Sequence, residues 1–367
     1  YFSEQFTAKG LTVPKIIAVS KDKLFYLQED LGDVSLLHHL ESKGLTNEVY
    51  ELFRKSLEAL AQLQVNGDSE LDYNYCLTNK EFGKQAIMAD LLYFKYYFLD
   101  ALRKPYDKQQ LIDDFEALSN YLTHTEYKYF MFRDFQSRNI MVTPPSEFPG
   151  KAKGRNEVRG EAVHFIDYQG GMKGAPQYDV ASMLWQARAN LPDDWKNDLL
   201  EDYMNSFEKI IGQTIDRNIF RSQYNGYVLI RLLQVLGAYG FRGLFERKAQ
   251  FLTSIPLALR NLRDFFNNQS LGISVPEFRK VLDMCVADEI IRQFTPTQAT
   301  EQTPLVVSIS SFSYRSEIPQ DDSGNGGGFV FDCRGILNPG RMDSMKTKTG
   351  RDKEVMDFLE QQTRMQE

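Results

Sequence analysis

The sequence predicts an α+β fold in which helices predominate, and three observations support this prediction. Two short runs of β-forming residues lie near the start, at 15–19 and 24–27. Three further strand-like runs, at 129–132, 140–142 and 163–166, form a compact group in the middle of the chain. Much of the remainder repeats apolar residues at the spacing of amphipathic helices, in the segments 49–63, 84–102, 108–122 and from 179 to about 285.

The composition excludes several classes of protein. The 367 residues carry a net charge of −7, so no general basic field would draw the chain to nucleic acid or to an anionic membrane. Cys76, Cys285 and Cys333 are far apart, which argues against a disulfide framework and against a zinc site. The sequence has neither a signal peptide nor an uninterrupted apolar run long enough to cross a bilayer. We therefore expect a cytoplasmic protein that does not engage a membrane.

Changes in composition divide the chain into four segments. Residues 1–33 contain the first two strand-like runs, and because the first residue is not Met we expect a truncated N-terminal sheet. Residues 34–290 form the mainly helical body. Residues 291–304 are rich in Thr and Gln and contain a proline, which is typical of a linker. Residues 305–367 are predicted to form a small α/β appendage.

The central strands carry the most informative polar residues. Residues 130–142 (FMFRDFQSRNIMV) place Asp134 and Asn139 in a loop between two strands, and the next strand ends at Asp167. Phosphoryl transfer needs one carboxylate to orient and deprotonate a hydroxyl, together with oxygen ligands for the Mg²⁺ that bridges the nucleotide phosphates. Asp and Asn also favour hairpin turns for purely structural reasons. The strand, loop and strand spacing favours the chemical interpretation.

These motifs resemble the aminoglycoside phosphotransferase/choline kinase superfamily. RDFQSRN is similar to its catalytic loop, and IDYQGG is similar to its metal-binding motif. The resemblance covers about residues 1–290. Further support comes from the segments 27–32, 178–182 and 231–242. Within the superfamily the chain is most similar to bacterial kinases of N-acetylmuramate and N-acetylglucosamine, which act at the anomeric hydroxyl. The resemblance implies a protein-kinase-like fold, ATP and Mg²⁺ as cofactors, and an amino sugar as the small-molecule substrate.

The resemblance also implies roles for individual residues. Asp134 would be the catalytic base, with Arg133 orienting it or forming a surface ion pair. Asn139 and Asp167 would bind the metal.

Four other residues are implicated around this centre. The backbone of Glu29, Asp30 and Leu31 would bind adenine. Asp179 would brace the catalytic loop from below, although capping of its own helix is equally compatible with its position.

The acceptor pocket is less well defined by the sequence. Asp90 and Arg188 stand where side chains could contact the substrate, but an exposed helix charge explains each of them as well. The aromatic run at 93–98 could stack on a sugar ring, and core packing is the alternative.

The pattern departs from the superfamily near the N-terminus. Kinases of this fold cover the phosphates with a Gly-rich strand and turn and use a Lys from the third strand, and neither can be found ahead of Leu11. The Gly-rich residues 323–328 are no substitute, since no Lys-Ser or Lys-Thr pair follows them. We therefore expect weak or absent nucleotide binding by the chain as it stands.

The last segment resembles the first half of the C-terminal domain of the RNase adapter protein RapZ, through FSYRSEIP, FVFDCRGILNP and TGRDKEVMDFL. Strands are predicted at 305–312 and 329–333 and a helix at 353–362. The resemblance implies binding of an amino-sugar phosphate and a small RNA. A local basic cluster could bind phosphate groups, or could be a solvated charged face; it comprises Arg334, Arg341, Lys346, Lys348 and Arg351.

Three hypotheses follow for the whole chain. The first is an ATP-dependent amino-sugar kinase joined to a sensor-like module. The second is a regulatory protein whose kinase-like part binds a ligand, an amino-sugar phosphate or RNA without turnover. The third keeps the chemistry but uses an aminoglycoside or choline as the acceptor.

Overall fold

The computed structural model describes residues 1–144, 161–246, 248–295, 309, 312, 329–350 and 352–362. The chain divides into two compact units, Tyr1–Thr297 and Gln298–Glu367.

The first unit combines three small β-ladders with a largely helical body. Its strands are β1 (Ile16–Val19), β2 (Tyr26–Gln28), β3 (Tyr129–Met131), β4 (Ile140–Thr143), β5 (Ala162–Phe165) and β6 (Met172–Gly174). They pair antiparallel as β1 with β2, β3 with β6 and β4 with β5. The five strands predicted for this unit are confirmed to within two residues at each end. Strand β6 was not predicted.

The helices before the central strands are α1 (Phe2–Ala8), α2 (Leu36–Lys43), α3 (Asn47–Asp68), α4 (Lys84–Phe94) and α5 (Lys108–Thr123). Those after them are α6 (Gln177–Leu184), α7 (Asp193–Ile211), α8 (Arg217–Tyr239), α9 (Ala249–Leu252), α10 (Ile255–Asn268), α11 (Pro276–Cys285) and α12 (Asp288–Phe294). The helical periodicity noted in the sequence is confirmed for α3, α4 and α5.

Packing among α3, α4, α6, α7 and α8 forms the core beneath the central strands. In α3 the apolar residues that repeat at helical spacing face inward, and Leu52, Leu57 and Leu60 are all buried. Thr46 caps this helix by accepting a hydrogen bond from Val49 N.

One segment of the first unit is long and apolar enough to cross a membrane by length and composition, namely Arg217–Phe245. More than half of its most apolar stretch is buried within the protein. Packing in the core therefore accounts for its hydropathy.

Gly240 allows the end of α8 to approach the continuation of α4 closely. A π-helical turn, Gly240–Phe245, extends α8, and another, Lys95–Leu99, extends α4. A Cβ atom at Gly240 would lie 2.3 Å from the carbonyl oxygen of Tyr97. Because the contact is with backbone, the two helices would have to separate to accept any side chain.

We expect Gly240→Ala to lower the free energy of unfolding by about 1–3 kcal/mol through this overpacking. The matched control is Gly170→Ala, since Gly170 is not in the left-handed region and no heavy atom lies within 4 Å of a Cβ built there. Thermal unfolding of both variants measures the effect. Equal melting temperatures for the two would contradict the proposed contact.

The described part of the second unit contains one helix, α13 (Lys353–Gln362), and two 3₁₀ turns, Cys333–Gly335 and Pro339–Arg341. The helix prediction is confirmed. The strand predicted at 329–333 is wrong: Phe329 and Phe331 are 90% and 78% exposed, and no described residue pairs with them as a ladder needs. The other predicted strand, 305–312, and the Gly-rich residues 323–328 lie outside the described residues except at 309 and 312.

Candidate functional site

The β4–β5 ladder brings the predicted metal ligands to the same end of one hairpin. Ile140 pairs with Phe165, so Asn139 immediately precedes the ladder and Asp167 follows it. The Ile166 N–H donates to the Asn139 carbonyl at 3.0 Å. The Asn139 side chain donates from Nδ2 to the carbonyl oxygen of Asp134 at 2.9 Å. This bond holds the loop that carries Asp134 against the start of β4.

Asp134 lies on this loop with its carboxylate held between two guanidinium groups. Arg231 Nη2 donates to Oδ1 at 2.9 Å, and Arg138 Nη2 donates to Oδ2 at 3.1 Å. Gln136 Nε2 also donates to Oδ1. Partial burial would raise the pKa of Asp134, but the attraction of both arginines and these hydrogen bonds outweigh it and lower the pKa. The side chain therefore stays ionised and remains 37% exposed to an incoming group.

Arg231 is the main residue at this site that the sequence did not identify. Its segment contributed only to the family resemblance, and its contact with Asp134 spans 97 positions in the chain. The available signal was the presence of one charge within the apolar run 227–236 (YVLIRLLQVL). A buried arginine needs a partner, since an isolated buried charge is costly.

Asp179 holds the backbone immediately before Asp134. It is fully buried in the first turn of α6, where it accepts hydrogen bonds from Phe132 N at 2.8 Å and Arg133 N at 2.9 Å. Gln64 Nε2 donates to it at 2.9 Å, and Tyr203 OH donates to Gln64 Oε1 at 2.5 Å. Its carboxylate thus lies against the loop as the bracing interpretation requires.

Burial raises the pKa of Asp179 from its ordinary value of 3.8 to about 6, against the opposing effect of the three N–H donors. Those donors stabilise the ionised carboxylate, so Asp179 accepts hydrogen bonds at neutral pH.

Arg133 and Asp90 form a partly buried ion pair. Arg133 has φ of +79°, in the left-handed region, and its guanidinium lies 4.5 Å from the centre of the Phe82 ring. Its Nη2 donates to Asp90 Oδ1 at 2.9 Å. Burial raises the pKa of Asp90, and the charge of Arg133 opposes the rise. Asp90, predicted as a substrate contact, therefore faces the loop arginine.

Arg188, the other predicted substrate contact, lies on the surface. Its side chain is 71% exposed, and its Nε donates to Glu41 Oε1 at 2.8 Å. The structure does not join it to Asp134 by any direct contact among the described residues. An exposed ion pair of this kind contributes little to stability.

The predicted adenine-binding residues follow β2. The Glu29 N–H is already used, since it donates to the Lys15 carbonyl at 2.8 Å. Asp30 Oδ1 accepts from Gly32 N at 2.9 Å, which shapes the turn. Within the described residues no hydrogen bond from the N–H of Asp30 or Leu31 is found, so these groups are available to a ligand.

The donor set around Asn139 and Asp167 fits Mg²⁺. Both side chains offer the hard oxygen atoms that Mg²⁺ prefers. Asp167 is exposed, and the only hydrogen bond of its carboxylate among the described residues is a long one of 3.4 Å from Gln169 Nε2. No group of three or more His, Cys, Asp or Glu side chains converges within the described ranges. Nucleotide phosphates and water would therefore complete the coordination, as is usual for Mg²⁺ in kinases.

We expect Asp167→Asn to raise the Mg²⁺ concentration needed for half-maximal turnover by at least roughly 10-fold, since even outer partners of a metal contribute that much. Mn²⁺ binding measured by electron paramagnetic resonance, with a non-hydrolysable ATP analogue, gives a second readout. The control is Asp283→Asn, which removes an exposed carboxylate paired with Arg279. Unchanged metal affinity in the first variant would exclude Asp167 as a ligand.

The predicted basic cluster of the second unit is partly neutralised. Arg334 pairs with Asp332 at 2.6 Å, and Lys348 pairs with Glu354. Arg341 and Lys346 are exposed. Arg351 lies outside the described residues.

Two family models match the chain. Residues 2–210 match the phosphotransferase enzyme family, and residues 305–367 match the RapZ C-terminal domain. A nucleotide-binding protein of Ruegeria sp. is 36% identical over 78 residues, covering 21% of this chain and 23% of that protein. A second, of Cereibacter sphaeroides, is 37% identical over 71 residues, covering 19% of this chain and 21% of that protein. The chain thus spans less than a quarter of the length of these curated relatives.

Among solved structures, ethanolamine kinase of Plasmodium vivax aligns with a TM-score of 0.46 at 14% identity, covering 72% of this chain and 69% of that one. Choline kinase of Cryptosporidium parvum aligns with a TM-score of 0.44 at 10% identity, covering 76% and 80%.

The family match confirms the protein-kinase-like fold, mostly helical and with a small C-terminal unit. It spans more than half of the sequence and includes Asp134, Asn139, Asp167 and Asp179. The chain therefore belongs to the phosphotransferase enzyme family.

Proposed function

We propose that the protein transfers the γ-phosphoryl group of ATP, with Mg²⁺, to a hydroxyl of a small molecule, and that the preferred acceptor is an N-acetylated amino sugar at its anomeric hydroxyl. The observation that carries the proposal is an ionised, accessible Asp134 on the same loop as Asn139, beside Asp167. The acceptor class is supported by the resemblance of the motifs and by the RapZ-like segment.

In this mechanism the acceptor hydroxyl donates a hydrogen bond to the Asp134 carboxylate, which orients its oxygen toward the γ-phosphorus. As the new P–O bond forms and the bond to ADP breaks, the hydroxyl proton passes to Asp134. Arg231 keeps the carboxylate in place through its contact with Oδ1. Bound Mg²⁺, held by Asn139 and Asp167, would neutralise phosphate charge.

Asp179 and Arg133 would act on Asp134 indirectly. Asp179 fixes the two backbone N–H groups immediately ahead of it, and Arg133 ties the loop to Asp90 on α4. Both are positioning residues in this proposal. Asp30 and Leu31 would offer their free backbone N–H groups to the adenine, and Glu29 would hold this segment to Lys15 through its own N–H.

A second candidate is a sensor protein that binds an amino-sugar phosphate or RNA without turnover. The match of residues 305–367 to the RapZ C-terminal domain favours it, and so do the exposed Arg341 and Lys346. The intact oxygen-donor set at Asp134, Asn139 and Asp167 favours the enzyme. For the proposed kinase we also propose a cytoplasmic location and a linker at 291–304 that divides the kinase-like part from the RapZ-like part.

The test is to incubate the protein with Mg-ATP and a panel of acceptors, and to measure ADP release together with ³¹P NMR of the product. The panel contains N-acetylglucosamine, N-acetylmuramate, kanamycin and choline. We expect a sugar 1-phosphate from the N-acetylated sugars. Binding of a sugar phosphate or RNA with no ADP release from any acceptor would favour the sensor instead.

A further inference from the structure

The loop that carries Asp134 continues into a tight turn that carries Asn139. The turn is a 3₁₀ helix, Ser137–Asn139, in which Ser137 and Asn139 are both buried. The side chain of Gln136, the N-cap residue, donates to Asp134 instead of capping the turn. The backbone N–H of Ser137 therefore needs an acceptor from elsewhere, because an unpaired buried N–H is costly.

Gln186, 49 positions further along the chain, supplies that acceptor. Its Oε1 accepts from the Ser137 N–H at 3.1 Å and from the Ser137 hydroxyl at 2.7 Å. No other hydrogen bond of the Ser137 N–H is found among the described residues. One amide oxygen thus satisfies two buried donors of the same residue, and its removal would leave both of them unpaired.

The segment that carries Gln186 is itself fixed by the helical body. Trp185, the residue before it, is buried, and its carbonyl accepts from Asn261 Nδ2 on α10 at 2.8 Å. The Trp185 ring lies 5.4 Å from the ring of Phe265 on α10 and 4.0 Å from Nζ of Lys196 on α7. Contacts from α7 and α10 therefore fix the backbone from which Gln186 reaches the turn.

Helix α6 holds the loop at two points. Asp179, in the first turn of α6, accepts the two backbone N–H groups immediately ahead of Asp134. Gln186 lies just beyond the last turn of α6 and accepts from the turn that leads to Asn139. The helix thus holds the loop on both sides of the proposed base, and the Gln186 contact is the one on the side of the proposed metal ligand.

The turn sets the direction of the Asn139 side chain. Its Nδ2 donates to the Asp134 carbonyl at 2.9 Å, so Oδ1 is the atom left for a cation. The Ile166 N–H holds the Asn139 carbonyl at 3.0 Å. A single bond of this kind leaves the turn free to rotate about it, and the contact between Ser137 and Gln186 removes that freedom.

We propose that Gln186 is a positioning residue for the metal site, which fixes the turn through Ser137 so that Asn139 Oδ1 faces a divalent cation. The inference rests on the proposed function, which assigns Asn139 to the metal, and adds a residue outside the two motifs of that site. Gln186 itself does not touch the cation, the nucleotide or the acceptor. Its loss should therefore weaken metal binding and leave the chemical step at saturating metal nearly unchanged.

The test compares two substitutions of nearly equal length, Gln186→Met, which removes the acceptor oxygen, and Gln186→Glu, which keeps it. We expect Gln186→Met to raise the dissociation constant of Mn²⁺ by roughly 10-fold or more, as loss of an outer partner of a metal ligand does. Electron paramagnetic resonance with a non-hydrolysable ATP analogue measures it. Gln186→Glu should stay within about threefold of wild type, because a carboxylate accepts both bonds. At saturating Mg²⁺ the kcat of Gln186→Met should also stay within about threefold of wild type.

Ser137→Ala tests the same contact from its other side. It removes the bond from the hydroxyl and leaves the one from the N–H, so we expect Mn²⁺ binding to weaken by about 3–10-fold, corresponding to one hydrogen bond. Because both substitutions break one contact, the double variant with Gln186→Met should bind Mn²⁺ no more weakly than Gln186→Met alone. Hydrogen exchange over residues 134–140, measured without metal, should be faster in Gln186→Met and near wild type in Gln186→Glu.

Two matched controls remove similar groups elsewhere. Gln110→Met replaces an exposed glutamine, and Ser222→Ala removes a 2.6 Å hydrogen bond between hydroxyl groups, with Tyr121 as the partner. Neither should change Mn²⁺ affinity.

Unchanged Mn²⁺ affinity in Gln186→Met, or equal weakening in Gln186→Glu, would overturn the inference and leave the proposed function standing. A loss of kcat at saturating Mg²⁺ with unchanged metal affinity would overturn it as well, since Gln186 would then act on Asp134. If Gln186→Met does not fold, Mn²⁺ affinity in Ser137→Ala decides in the same way. Weaker Mn²⁺ binding in Gln186→Met, with no turnover of any acceptor by the wild type, would support the inference and overturn the proposed function.

Discussion

Replacement of Asp134 by alanine is expected to reduce ATP-dependent phosphorylation by about 10²–10⁴-fold, the usual contribution of a general base. The carboxylate is accessible and ionised, and the loop presents it beside Asn139. Substrate and nucleotide binding should change far less, because the loss concerns the transition state. The measurement is kcat at saturating Mg-ATP.

The alanine variant also removes the partner of a buried arginine, so its stability needs a separate check. Arg231 would keep Gln234 but lose its carboxylate. Asp134→Asn retains an acceptor oxygen for Arg231 while abolishing the base, and should show the same loss of kcat with a smaller change in melting temperature. Turnover within about tenfold of wild type in a folded Asp134→Asn protein would refute the assigned role.

Asp179→Asn is expected to lower kcat by roughly 10²-fold, because a loop displaced by about 1 Å can lose that much. An asparagine cannot accept from both Phe132 N and Arg133 N, and one buried N–H is left unpaired. That unpaired group should also cost about 1–3 kcal/mol in the free energy of unfolding. Steady-state kinetics and thermal unfolding measure the two effects.

The pH dependence of this variant gives a sharper test. The pKa of Asp179 lies at about 6 in the folded protein against an ordinary value of 3.8, so the folded state holds this proton more tightly than the unfolded state does. Its contribution to stability is therefore full below about 3.8 and is lost as the pH rises through about 6. Relative to Asp179→Asn, the wild type should lose up to about 3 kcal/mol between about pH 4 and pH 7.

Melting temperatures of both proteins across this pH range check the expectation. A constant difference would show that Asp179 does not bind a proton more tightly on folding.

Local pattern was sufficient to predict most of the fold. The spacing of apolar residues placed α5 at 108–122, and the structure has it at Lys108–Thr123 with Asp107 as its N-cap. Such patterns depend on neighbours in sequence, which a single chain displays. The strand prediction at 329–333 was wrong: β-forming residues make a strand only beside a partner strand, and no described residue pairs with this run.

Contacts between distant segments could not be predicted in the same way. The pairing of Arg133 with Asp90 and of Asp134 with Arg231 depends on how α4 and α8 pack against the loop. The sequence predicts that Asp90 lies on a helix but does not show which way its side chain points. The packing of α4 places it against Arg133. The positions of Asn139 and Asp167 were easier to anticipate, since one hairpin determines both.

Arg231 lies on α8, outside the part of the chain that matches the phosphotransferase family. The segment recognised as a phosphotransferase ends at residue 210, before this helix begins. A shortened protein cut at that boundary would contain the proposed base and the proposed metal ligands but not the buried Arg231 that contacts Asp134. Comparisons of activity among relatives should therefore take the downstream helices as part of the enzyme.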